Sequence, residues 1–186
     1  MVYNMDRTKI TRIVLIALFA ALIAVGAFIR IPLPPVPITL QTLFTLVAAL
    51  LLPLPVSISS VLVYLFLGII GLPIFTSGGG LAAVTGPTGG YLIGLIPAVI
   101  IGGLMVRSEK EKPLWYYLLA SFVATVAIYL PGLFWLGFSR HLTLSQTLAG
   151  GLTPFIVGDV LKMIVSSLVA WKLRPQVLSM LKSDGE

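Results

Sequence analysis

The chain predicts an all-α integral membrane protein: six transmembrane helices, both termini cytoplasmic, and outer loops folded over a ligand pocket. Three observations predict it. The composition is strongly apolar, six apolar stretches are bounded by charge or by Pro and Gly, and lysine and arginine are unevenly distributed. Of 186 residues, 58% are hydrophobic and only 10% charged, with a mean hydropathy of +1.09. No soluble domain of this size needs so much apolar surface, so lipid is the expected solvent. The absence of cysteine excludes disulfides and thiolate metal sites. The formal charge of +6 comes from dispersed basic residues beside apolar runs, which fits membrane orientation rather than nucleic-acid binding.

The six stretches cover residues 10–29, 38–52, 56–72, 90–106, 114–136 and 154–173, within one membrane domain, 1–186. The first follows Arg7, Lys9 and Arg12 and so has the look of a signal peptide. Its length and the five further spans make it a retained helix instead. The turn Pro53-Leu54-Pro55 separates the second stretch from the third too tightly for a polar loop, which predicts a helical hairpin turning at the membrane surface.

Orientation follows from the basic residues. With six spans and an inner N-terminus, Arg7, Lys9, Arg12, Arg107, Lys110, Lys112, Lys172, Arg174 and Lys182 all fall inside. Only Arg30 and Arg140 fall outside, and Lys162 lies in the membrane. That is a strong positive-inside bias. The outer loops 31–37 and 72–89 are then unusual: the first is proline-rich and stiff, the second glycine-rich and free of charge. Both are expected to fold back as a lid.

Asp159 and Lys162 sit three residues apart in the last apolar stretch. A charge there costs about 2.5–3.5 kcal/mol even on a mild insertion scale, so it persists only when paired or used. On a helix, residues i and i+3 share a face. The second, fourth and sixth helices all begin on the outer side. Thr39 and Gln41 open the second, Thr88 and Tyr91 the fourth, Asp159 and Lys162 the sixth. Three helix N-termini also bring partial positive charge to that depth, which suits an anionic group. Each residue also has a plainer reading. The ion pair could pin helix six to a neighbour, Thr39 and Gln41 could cap or bridge helices, and Tyr91 could anchor the interface. Arg30 reads as a headgroup-facing end residue. Ligand contact is the favoured reading for the ion pair.

Other patterns exclude whole classes. Gly78-Gly79-Gly80 lacks the βαβ context of a dinucleotide fingerprint, and no Gly-Lys-Ser/Thr occurs, so no P-loop is present. The spans hold one aspartate and no histidine, which argues against an intramembrane protease and against enzymatic activity generally. His141, the only histidine, lies in an outer loop and no metal site is expected. Small residues recur at Gly86, Gly90, Gly94, Ala98 and Gly102, a stripe expected to pack inside the bundle. The pairs Ala17/Ala21 and Ala20/Ala24 in helix one serve either internal packing or docking onto another membrane subunit.

Four segments in order carry a resemblance. They are Pro35-Val36-Pro37-Ile38-Thr39-Leu40-Gln41, Gly71-Leu72-Pro73-Ile74-Phe75, Gly86-Pro87-Thr88-Gly89-Gly90-Tyr91, and Pro154-Phe155-Ile156-Val157-Gly158-Asp159-Val160-Leu161-Lys162. Together, from about residue 10 to 173, they resemble the BioY family, biotin-binding S-components of energy-coupling factor (ECF) vitamin transporters. The resemblance implies a multi-pass protein of the prokaryotic plasma membrane that captures biotin from outside. It also implies a membrane T-component and two cytoplasmic ATPases as partners, with ATP used only by those partners and no cofactor of the chain's own. The family's helix-one alanine motif maps to Ala17/Ala21 or Ala20/Ala24, and its polar helix-six contacts map to Asp159 and Lys162. Biotin offers two ureido N–H donors, one carbonyl, an apolar body and a carboxylate. An acceptor-only Asp suits the ureido N–H, and a donor-only Lys suits the ureido carbonyl or the carboxylate. Tyr91, Phe75 and Phe155 are then expected as apolar walls. The competing readings are a stand-alone small-solute carrier, an S-component for a different vitamin, and a structural membrane protein.

Overall fold

Proline clusters mark several turns of this chain, since proline lacks a backbone donor and fixes its own φ. The computed structural model describes residues 7–108 and 112–182. Among them are six long helices and two short ones: α1 (Arg7–Phe28), α2 (Gln41–Leu51), α3 (Leu54–Ile69), α4 (Leu81–Thr85), α5 (Gly89–Met105), α6 (Leu114–Arg140), α7 (Leu144–Gly151) and α8 (Ile156–Lys182). A small hairpin of β1 (Arg30–Ile31) and β2 (Ile38–Thr39) joins α1 to α2, with Arg30 opposite Thr39 and Ile31 opposite Ile38. Lys110, counted above among the inner cations, lies outside the described residues, as does the side chain of Lys182.

The second stretch is corrected most. Ile38 and Thr39 belong to the hairpin rather than a helix, and α2 has 11 residues, about 16 Å of rise. That is roughly half of a ~30 Å hydrocarbon core. Four prolines between Pro32 and Pro37 leave the preceding segment extended and let the two strands pair instead. α1, α6 and the stretch Leu144–Leu181 are each long and apolar enough to cross a membrane, whereas α2, α3 and α5 are shorter apolar helices. The tight α2–α3 turn is as expected: Pro53 precedes α3 and Pro55 lies in its first turn.

Two short helices were not anticipated. α4 sits within the glycine-rich loop 72–89, and α7 precedes a 3₁₀ turn (Thr153–Phe155) that leads into α8. A capping box starts α7: Thr143 Oγ1 accepts from Gln146 N–H (3.4 Å) while Gln146 Oε1 accepts from Thr143 N–H (3.0 Å).

The glycine stripe packs internally. Gly90, Gly94, Ala98 and Gly102 are buried in α5, which lies against α6, whereas Gly86 precedes the helix and is half-buried. A Cβ at Gly94 would come within 2.7 Å of Ile128 O, so only glycine permits this approach. α2 runs beside α8, and Arg174, counted among the inner cations, is buried against the C-terminal end of α2. It is 4% exposed, and its Nη1 donates to Leu50 O (2.9 Å) and Leu52 O (3.1 Å). Carbonyls at a helix C-terminus lack intrahelical donors, and the negative end of the dipole favours a cation there.

Candidate functional site

The charge pair sits where a short 3₁₀ turn hands over to α8, so both side chains emerge from the first two turns of that helix. Asp159 is 8% exposed and Lys162 7%, and their Oδ1 and Nζ lie 3.0 Å apart. The remaining partners come from other helices. Tyr129 of α6 donates its hydroxyl to Asp159 Oδ2, and Lys162 Nζ donates to Thr42 Oγ1 of α2 at 3.0 Å. Neither group is saturated. An ammonium has three N–H donors, of which two are used, and a carboxylate offers about four acceptor positions.

Above the pair lies a cavity of about 60 Å³. Seven residues named from sequence line it: Thr39 and Gln41 from the start of the second stretch, Thr88 and Tyr91 from the fourth, and Phe155, Asp159 and Lys162 from the sixth. Tyr91 is further held by donating to Gly151 O (2.9 Å) and meets Tyr129 edge-on, ring centroids 6.0 Å apart. Thr39 Oγ1 accepts from Gln41 N–H (3.3 Å), so it also braces the entry to α2.

Phe75 is not brought there. Its ring is 2% exposed and packs edge-on against Tyr64 (centroids 5.3 Å), over Gly68, where any Cβ would collide with it. The segment around Phe75 forms a small turn, Phe75 N–H donating to Gly78 O at 2.8 Å, which aims the ring into the α3 surface instead.

Sequence reasoning missed Tyr129, Thr42 and Thr125, which complete the polar lining, and Leu46, Leu92, Leu95 and Ile128, which supply the apolar floor. A phenol in the middle of an apolar stretch was an available signal for Tyr129. Thr42 directly follows Gln41 and had the same standing as its neighbour.

The loops 31–37 and 72–89 both contribute to the cavity lining, through Val36 and Pro37 of the first and Thr76 of the second. The roof is pinned at several points. Arg30 Nη1 donates to Thr76 O, so the residue read as facing headgroups instead clasps one loop to the other. Trp135 Nε1 donates to Gly86 O (2.9 Å), and Tyr64 donates its hydroxyl to Ile74 O (3.3 Å). Among the described residues no group of three or more His, Asp or Glu side chains forms a metal site. On α1, Ala17 and Ala21 face outward, whereas Ala20 is buried and Ala24 half-buried.

Comparison with known proteins places this architecture. The BioY family profile matches residues 3–179. The biotin transporter BioY of Thermotoga maritima is 42% identical over 159 residues, covering 84% of this chain and 92% of that protein. The biotin transporter BioY of Rhodobacter capsulatus is 39% identical over 173 residues, covering 85% and 90%. The crystal structure of the S-component for biotin from an ECF-type ABC transporter superposes with a TM-score of 0.83 at 29% identity, over 91% of this chain and 94% of that one. The chain belongs to the BioY family.

Proposed function

We propose that this chain is the biotin-capturing S-component of an ECF-type importer, a multi-pass membrane protein and not an enzyme. The observation that carries the reading is the buried Asp159–Lys162 pair, held by Tyr129 and Thr42 at the base of a roofed cavity. Its family membership and its likeness to biotin transporters supply the guest. Asp159 accepts a ureido N–H of biotin and Lys162 donates to the oxygen acceptor opposite, with Tyr91, Tyr129 and Phe155 against the apolar body. Hydrogen bonds between charged and neutral partners in a dry site contribute roughly 1.5–3 kcal/mol each.

The same reading carries six spans in one domain, with both termini cytoplasmic and the roof facing outward. The partners are a membrane T-component and two ATPases, which alone consume ATP. The outward pair Ala17/Ala21 is the docking stripe, because Ala20 and Ala24 are turned into the bundle. Small residues on an exposed face permit close helix approach.

The test is a melting series of the detergent-solubilised chain against a panel of vitamins. Biotin at about 100-fold over its dissociation constant stabilises by roughly 2.7 kcal/mol, and the other vitamins leave the transition unmoved. A shift with a different vitamin and none with biotin refutes the substrate assignment.

A further inference from the structure

Four polar side chains on one face of α8 reach neighbouring helices, and the partner alternates. Asp159 accepts from Tyr129 of α6, and Lys162 donates to Thr42 of α2. Ser166 Oγ then lies 3.1 Å from Ser121 Oγ of α6, and Arg174 donates to Leu50 O and Leu52 O at the C-terminal end of α2. Spacings of three, four and eight residues keep all four on that face. Lys162 and Arg174 therefore hold α2 near both of its ends. With neither Pro nor Gly inside it, the 11-residue α2 has no built-in kink and acts as one short strut.

The contact at the C-terminal end of the strut replaces donors that the chain cannot supply. Leu50 and Leu52 are fully buried, and the last carbonyls of a helix have no intrahelical partner. Pro53 follows directly and offers no N–H. Arg174 serves no ion pair here: Asp159, the one acidic residue among those described, is taken by Lys162. Its charge answers the negative end of α2 instead.

We propose that Arg174 is a positioning residue for the binding site. By fixing the C-terminal end of α2 on α8, it keeps Thr42, about 12 Å back along the strut, within reach of Lys162 Nζ. This rests on the biotin reading above. Freed from Arg174, the strut tilts on α8 and the 3.0 Å contact between Lys162 and Thr42 is lost, since hydrogen bonds weaken steeply with misplacement. Lys162 then keeps only Asp159 to fix its rotamer, and its ammonium is no longer aimed at the guest.

A double-mutant cycle on biotin affinity tests this, with the full chain in detergent at a temperature where each variant is folded. Arg174→Gln weakens biotin about fivefold or more. Arg174→Lys, which still brings a cation to the two carbonyls, stays within about twofold. In a Thr42→Val background Arg174→Gln costs less than about twofold further. Residues more than about 7–10 Å apart with no shared partner normally add, so this non-additivity is the signature of action through the strut. Val61→Ala, a buried α3 change off the cavity, lowers the melting temperature and leaves affinity within about twofold. Arg174→Met, similar in length but without donors, behaves as Arg174→Gln and replaces it in the cycle if that variant does not fold.

A lower melting temperature in Arg174→Gln with unchanged affinity makes the contact merely structural and overturns the proposal. So does a full second loss in the Thr42→Val background, which shows action by another route. Either result spares the biotin reading. Failure of the unmodified chain to bind biotin removes both.

Discussion

Asp159 accepts from Lys162 on one oxygen and from Tyr129 on the other, so a single carboxylate ties α8 to α6 and, through Lys162 and Thr42, to α2. A pair built only to pin helices and a pair built to hold a guest respond differently to mutation. Removing one member strands a buried charge at a cost of about 3–5 kcal/mol, whereas replacing both with apolar or neutral groups is often close to neutral. Lys162→Met therefore lowers the melting temperature sharply, and Asp159→Asn/Lys162→Met recovers much of that loss. The double variant still binds biotin at least about tenfold more weakly than the unmodified chain, a difference of 1.4 kcal/mol or more. If calorimetry finds its affinity recovered along with its stability, the pair is merely structural. Tyr129→Phe removes one donor to a charged acceptor, worth roughly 1.5–3 kcal/mol, and is expected to lower both apo melting temperature and biotin affinity. Unchanged values for both would remove Tyr129 from the site. The acid and base were legible in the sequence because charge is rare in an apolar run. Tyr129 left only the weaker signal of a phenol in an apolar run, because its relevance depends on which face of α6 meets α8.

Between elements, glycine and alanine spacing fixes how closely helices approach, but not which face looks inward. The α5 stripe was correctly read as internal, since small residues every fourth position serve a neighbouring backbone. On α1 two overlapping pairs competed, and only the packed helix separates them: Ala20 is buried and Ala17 is not. Ala17→Leu is accordingly expected to preserve biotin binding by the isolated chain and to abolish uptake when the importer's other subunits are coexpressed. Ala20→Leu should instead cost stability through overpacking, about 1–3 kcal/mol. Normal uptake with Ala17→Leu would dismiss the docking stripe. Phe75 illustrates the converse error. The family resemblance suggested Phe75 as an apolar wall, but the turn closed by Gly78 directs the ring onto Gly68.

Charge organises the molecule as a whole. Arg7, Lys9, Arg12, Arg107, Lys112 and Lys172 belong to one proposed side, and Arg30 and Arg140 to the roofed side. The proposed topology is open to a direct check because the chain has no cysteine of its own. In intact cells a membrane-impermeant maleimide should label Ser77→Cys, exposed in the roof, and reach Ser179→Cys, exposed near the end of α8, only after permeabilisation. The reverse pattern would invert the orientation and undo the reading of the roof as an outer lid.

By itself the sequence determined the solvent, the helical class, the approximate positions of the long helices and the acid–base couple. Those properties follow from local hydropathy and from the cost of burying charge, which need no knowledge of neighbours. Tertiary structure alone decided that Tyr129 and Thr42 complete the couple's shell, that Phe75 turns away, that Ala17 faces outward, and that Arg30 bends over the entrance. Each of these depends on the rotation of one helix about its axis relative to another, or on the path of a loop. Most of these choices are set by contacts between residues tens of positions apart, and the Phe75 turn by its packing on α3, which a linear pattern does not encode.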